Sequence, residues 1–286
     1  MTIGTQPSRQ RSWDPRAAAN FICGGAGAGL IVFTVLSGAR DAALTASLLV
    51  GAALIGTGLL CVWHELGRPL RALHVFLHPR TSWMTREAFV ATLLFPVTAI
   101  AAAGVTACAY VAAGLAVAFI VCQAKMLQAA RGLPAWREPL AAALLVVTAL
   151  VEGGGLWLAL APWTRTGSQT LLATFGGLVL VRLFVWLAYR RAIALASPRA
   201  TSALTGAGRV LQSAGTLVPL AAIALIAAGA VTGSATLALG AAAGLFAAFA
   251  GAYLKYTLVV HAGFTQGPVL SRLPVRGVPH VRPERI

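Results

Sequence analysis

The sequence has 286 residues, of which 58% are hydrophobic and only 10% charged, where a soluble domain carries about 25% charged residues. That balance excludes an ordinary water-soluble globule, and it is the reverse of the charge-rich, apolar-poor bias of a disordered chain. The 22 Lys and Arg against 7 Asp and Glu give a formal charge of +15. In a soluble protein this would suggest nucleic acid, but in a lipid environment it is first a question of topology.

Residues 1–16 form a short basic segment with Arg9, Arg11 and Arg16. A helix needs about 20 apolar residues to cross a hydrocarbon layer roughly 30 Å thick. Eight stretches qualify, near 17–37, 42–63, 87–103, 106–128, 139–161, 169–189, 213–232 and 236–258. The fold predicted is therefore an all-α polytopic membrane protein with an eight-helix domain over 17–258. The first stretch is read as a membrane helix and not as a signal peptide, because spans of similar length follow it. It contains Asn20 near its start and Gly25-x-x-x-Gly29, a spacing that lets helices approach closely. Its glycines are not a phosphate loop, since no G-K-[ST] follows. No charge interrupts the chain between Glu87 and Lys125. As one helix that run would extend about 56 Å, so it must turn, around Gly104. Glu152 falls inside the fifth span, roughly 20 Å from its near end, and Arg182 inside the sixth. Lys255, close to the end of the eighth, is expected to snorkel toward the surface. The Pro- and Arg-rich tail, 259–286, is predicted to be non-helical and to rest on a soluble partner or the membrane surface.

With eight spans, both termini lie on one side. All Lys and Arg except Arg40, Arg165 and the intramembrane Arg182 also fall there. The positive-inside rule then places both termini in the cytoplasm, as expected for a multi-pass protein of a bacterial inner membrane. The charge needs no nucleic-acid partner. Cys23, Cys61, Cys108 and Cys122 sit in apolar runs without metal-ligand spacing, so no metal site is predicted. The histidines are not placed to face each other from two spans, which argues against haem.

Polar residues concentrate between the second and third spans: Trp63-His64-Glu65 and Arg68, Arg71, then His74, His78, Arg80, and Ser82-Trp83-Met84-Thr85-Arg86-Glu87. Positive-inside topology explains the arginines but not His64, Glu65 and Glu87 at span ends. Acids contribute little to orientation and are costly near lipid, so they face a protein interior or a watered cavity. Pairing with Arg71 or Arg86 would offset that cost. The alternative is a structural ion-pair cluster.

The run Leu66-Gly67-Arg68-Pro69-Leu70-Arg71-Ala72, with Ser82 to Glu87 after it, resembles the signature of the membrane-anchor subunits of DMSO reductase and their NrfD-like relatives. A second stretch, Met126 to Arg131 and Leu133-Pro134-Ala135-Trp136, resembles that family's basic proline–tryptophan connection. The resemblance implies a haem-free anchor that exchanges electrons and protons with a quinone, menaquinone or ubiquinone. It also implies docking of a ferredoxin-like iron–sulfur subunit, which feeds a molybdopterin catalytic subunit. The family's histidine directly precedes Leu-Gly, where this chain has Glu65, with His64 one residue earlier. Adjacent helical residues point about 100° apart, which leaves open whether His64 or Glu65 contacts quinone. Glu87 carries over without a shift. The tail is similar to those of anchors in phenylacetyl-CoA:acceptor oxidoreductase systems.

The chemistry suits these residue types. Quinol oxidation releases two protons with two electrons, and a histidine or partly desolvated carboxylate can take up such protons. Arginine cannot act as that base but can hold a carboxylate. The expected quinone-binding or proton-transfer set is His64, Glu65, Arg68, Arg71, Arg86 and Glu87, with Arg71 and Glu87 as an orienting pair. Asn20, Glu152 and Arg182 are candidates for a proton route or a buried polar contact. Two other readings stay open: a secondary transporter whose Glu152 and Arg182 line a pathway, although no internal repeat is evident, and a purely structural anchor.

Overall fold

The computed structural model describes residues 3–4, 7–64, 74–164, 168–266 and 269–270. Among these residues, eight helices are long and apolar enough to cross a membrane, so the chain is an all-helical multi-pass membrane protein. They are α1 (Pro15–Leu36), α2 (Asp41–Trp63), α3 (Trp83–Ala102), α4 (Thr106–Gln128), α5 (Pro139–Thr164), α6 (Gln169–Ala196), α7 (Thr205–Ala227) and α8 (Ser234–His261).

Local chemistry sets the helix ends. Asp14 caps α1 and accepts from the Arg16 amide at 2.7 Å, with Pro15 following. Ser82 caps α3 and Ser168 caps α6, each accepting from the third residue on at 3.3 Å. Such caps satisfy amides that a helix start otherwise leaves unbonded. The Ser82 cap starts the third span four residues before the expected 87. Gly104, with φ of 101°, makes the expected turn between α3 and α4, a conformation open to a residue without Cβ. The seventh helix starts at Thr205 and not near 213, because Ala207, Gly208 and Leu211 bury one face of a segment too polar to register as a span. The 28 residues of α6 extend about 42 Å, which carries Arg190 and Arg191 beyond the hydrocarbon.

Helix α5 is central, packed between α1 and α8. Glycines bring the backbones together. A Cβ on Gly153 would overlap Gly29 of α1, and one on Gly155 would overlap Gly244 of α8. Outward faces carry exposed Phe184, Phe249, Val181 and Leu245, as a lipid boundary requires. Segments near the two ends of the described chain meet at one end of the bundle. Strand β1 (Ile3–Gly4) pairs antiparallel with β2 (Val269–Leu270), and the Gln10 amide donates to Gly263 O at 2.8 Å.

Among the described residues, three helices contain a π-helical turn: Asn20–Gly24 in α1, Ser213–Leu217 in α7 and Thr257–His261 in α8. Such a turn widens the helix and pulls carbonyls off the regular ladder. In each turn a side chain from another element takes one of those carbonyls: Lys255 at Phe21 O, Arg182 at Gly215 O and Trp136 at Leu258 O.

Candidate functional site

At the end of the bundle where β1 and β2 pair, a cavity of about 640 Å³ opens between α1, α2 and α3. Ser12, Trp13, Ala17, Asn20 and Phe21 form one wall, and Leu59, Val62 and Trp63 of α2 a second. Met84, Glu87 and Ala88 of α3, Val75 of the preceding connection and Met126 of α4 complete it. The connection is tied down by Thr85 Oγ1, which donates to Val75 O at 2.5 Å. Trp13 is fixed by Trp136, with ring centroids 5.0 Å apart, and by Gln10, whose Oε1 accepts from the Trp13 amide at 2.7 Å.

Two polar groups are sunk into this largely apolar wall. Asn20 and Glu87 are each 3% exposed, and Asn20 Nδ2 donates to Glu87 Oε1 at 3.2 Å. Asn20 Oδ1 has no hydrogen-bond partner among the described residues. Asn20 sits in the π turn of α1, where its own carbonyl accepts from Gln123 Nε2 at 2.9 Å. The carboxylate is therefore held by an amide that is itself held from α4. Burying such a group is expensive unless it is hydrogen-bonded.

The other sequence-predicted residues fall differently. Glu65, Arg68 and Arg71 lie outside the described residues. His64 follows the last turn of α2 and is exposed. Its carbonyl accepts from Arg16 Nη1 at 3.2 Å and its ring centroid is 5.9 Å from that of Trp63, but it is not part of the cavity wall. Arg86 does not pair with Glu87. It donates to Pro79 O at 3.0 Å and Arg80 O at 2.8 Å, with its guanidinium 4.2 Å over the Trp83 ring. The reason is the roughly 100° between successive helical residues: Glu87 faces the bundle while Arg86 caps the connection.

Glu152 is a buried contact between helices. Its Oε2 accepts from Lys255 Nζ at 2.6 Å, with the two side chains 1% and 2% exposed. Lys255 therefore does not snorkel. It turns inward because Gly25 and Gly251 leave room around the pair. Arg182, also buried, donates to Ala247 O at 2.9 Å and Gly215 O at 2.5 Å. Carbonyls hold its guanidinium, in keeping with its different depth from Glu152. Gln123, Lys255 and Trp13 were not picked out as site residues. The signal for the first was available, an amide side chain following a run of apolar residues in the fourth span and preceding its terminal Lys125 and Gln128.

Outside the spans, Asp14 and Arg16 form an ion pair at 2.7 Å. The Arg16 side chain hydrogen-bonded to Asp14 holds its carboxyl below the ordinary aspartate value. A second cavity of about 380 Å³ lies at the opposite end, beside Arg40, Asp41 and Thr45, and has no buried polar side chain in its wall.

No protein-family model matches the chain, and no curated protein matches it.

Proposed function

We propose that the chain is the quinone-reactive membrane anchor of an oxidoreductase complex in a bacterial inner membrane. The observation that carries this reading is the buried Asn20–Glu87 pair in the wall of an apolar cavity with tryptophans on two sides. The cavity is of the size that takes a small organic ligand, roughly 300–1,000 Å³. A flat ring would fit between Trp13 and Trp63, with a polar edge turned toward Asn20, Glu87 and the Ser12 hydroxyl. A bound quinone would supply two-electron, two-proton chemistry. Glu87 would take up a proton on its carboxylate, and Asn20 Nδ2 would orient that carboxylate. Leu59, Val62 and Met84 would exclude water and strengthen the polar contacts.

By the positive-inside rule the cavity end, with the termini, Arg80, Arg131 and Arg137, is cytoplasmic. A ferredoxin-like iron–sulfur subunit, leading to a molybdopterin catalytic subunit, would dock there. Against the transporter reading, Glu152 and Arg182 are both engaged within helix contacts, and neither lines this cavity.

The test is photolabelling of the full chain in lipid nanodiscs with an azido-quinone. Labelled peptides should map to Trp13–Phe21, Leu59–Trp63 and Met84–Ala88, and short-chain quinone should compete. Glu87→Gln should leave the protein folded and abolish quinol turnover in the assembled complex. Labelling spread over lipid-facing surfaces, or turnover unchanged by Glu87→Gln, would leave a structural anchor.

A further inference from the structure

Two consecutive carbonyls in the π turn of α1 are held by side chains from two different helices. Gln123 Nε2 of α4 donates to Asn20 O at 2.9 Å, and Lys255 Nζ of α8 donates to Phe21 O at 2.8 Å. Both donors are buried, at 3% and 2% exposure. The two residues closing the turn make room for them. A Cβ on Gly24 would lie 2.5 Å from Gln123 Nε2, and one on Gly25 2.5 Å from Lys255 Nζ. Lys255 is aimed by Glu152, whose Oε2 accepts from the same ammonium at 2.6 Å. Direct contacts thus run from Glu152 through Lys255 to the Phe21 carbonyl, and from the neighbouring Asn20 to Glu87.

The geometry of the turn makes these contacts matter to the cavity. A π turn holds one residue more than an α turn. If it relaxed to regular helix, the residues before it would rotate by about 100° and shift by about 1.5 Å relative to those after it. Asn20 would then swing off Glu87, and Phe21 would leave the wall. Opposing that relaxation are donors that satisfy carbonyls which would otherwise be buried and unbonded.

We infer that Lys255 is a positioning residue for the cavity: with Gln123, it holds the π turn of α1 in the geometry that aims the Asn20 amide at Glu87. The inference rests on the quinone-site reading only for what the cavity binds. Lys255 touches no ligand. It acts through the backbone of α1 from a helix that contributes nothing to the cavity wall.

The test uses the full chain in nanodiscs. The infrared bands of the Glu87 side chain are assigned by their disappearance in Glu87→Gln. They are then followed in the paired variant Lys255→Met with Glu152→Gln, which removes both charges together, and separately in Gln123→Met. The bands should shift in both, and affinity for the azido-quinone should fall roughly ten-fold, the worth of about one hydrogen bond. Thr45→Val, which loses the Oγ1 bond to Ala102 O at the opposite end of the bundle, should leave the bands in place. A shift common to all three variants would mean general loosening and would overturn the inference, as would unmoved bands in the Lys255→Met, Glu152→Gln variant, which is the decisive one because Gln123 also reaches the Glu87 carboxylate directly. Absence of quinone labelling in the unaltered chain would sink the quinone reading, while the band positions would still decide the role of Lys255.

Discussion

The buried pair between Glu152 and Lys255 yields the sharpest stability prediction. Lys255→Met alone removes the ammonium and leaves a carboxylate at 1% exposure whose other oxygen, Oε1, already lacks a hydrogen-bond partner among the described residues. It also strips Phe21 O of its donor. Breaking a buried pair from one side costs about 3–5 kcal/mol, because the remaining charge is uncompensated. Glu152→Gln alone leaves the Lys255 ammonium buried without its counter-charge, which places its cost toward the lower end of the same range, about 3 kcal/mol, since the amide oxygen and Phe21 O still accept from it. The two changes together remove both charges, and replacing a buried pair by uncharged residues of similar volume is often close to neutral. The double variant should therefore be more stable than Lys255→Met, with a coupling energy of at least about 2 kcal/mol, toward the upper end of the range for residues in direct contact. Unfolding of the full chain in mixed detergent micelles with increasing dodecyl sulfate, followed by far-ultraviolet circular dichroism, measures all four corners of the cycle. Additive behaviour, with coupling below about 0.5 kcal/mol, would refute the pairing and with it the account of why Lys255 turns inward.

Gly153→Ala should destabilise the bundle by about 1–3 kcal/mol in the same assay, because the new methyl meets the backbone of Gly29 and Leu30, which cannot move aside as a side chain can. Trp136→Phe should cost about 1–3 kcal/mol, the penalty for leaving a buried carbonyl without its donor; the lost donor is Nε1, 3.0 Å from Leu258 O. Asp14→Ala should fray the start of α1 at a cost of about 1 kcal/mol, seen as faster amide exchange at Ala17 and Ala18. The Asp14 carboxyl is lowered by its hydrogen bonds to Arg16, so its contribution is complete above the ordinary aspartate value of about 3.9 and is lost as pH falls through the lower folded value. Protection of the Ala17 and Ala18 amides, taken relative to the intrinsic exchange rate at each pH, should therefore fall only in acid, and unchanged protection there would count against the cap.

Hydrophobic run length alone was enough to reveal eight crossings, since lipid leaves the backbone few ways to satisfy its own polar groups. The uncharged stretch between Glu87 and Lys125 likewise required a turn near Gly104, because a single helix would have been far too long. The polar end of the molecule was also readable, and Glu87, which the sequence singled out, does face a cavity there. Its partner was not readable. Arg86 is its neighbour in the chain, yet Asn20, at a sequence distance of 67, holds the carboxylate. Lys255 looked like a surface-seeking cation and is bound to Glu152 instead. Hydropathy is a one-dimensional quantity that reports which residues lie in lipid and roughly how deep. It says nothing about rotation around each helix axis or about which helices touch. Those are decided by close contacts such as Gly29 on Gly153 and by π turns that redirect a face within one helix. The crossings follow from transfer of each segment into lipid, whereas the site depends on how eight helices pack around α5.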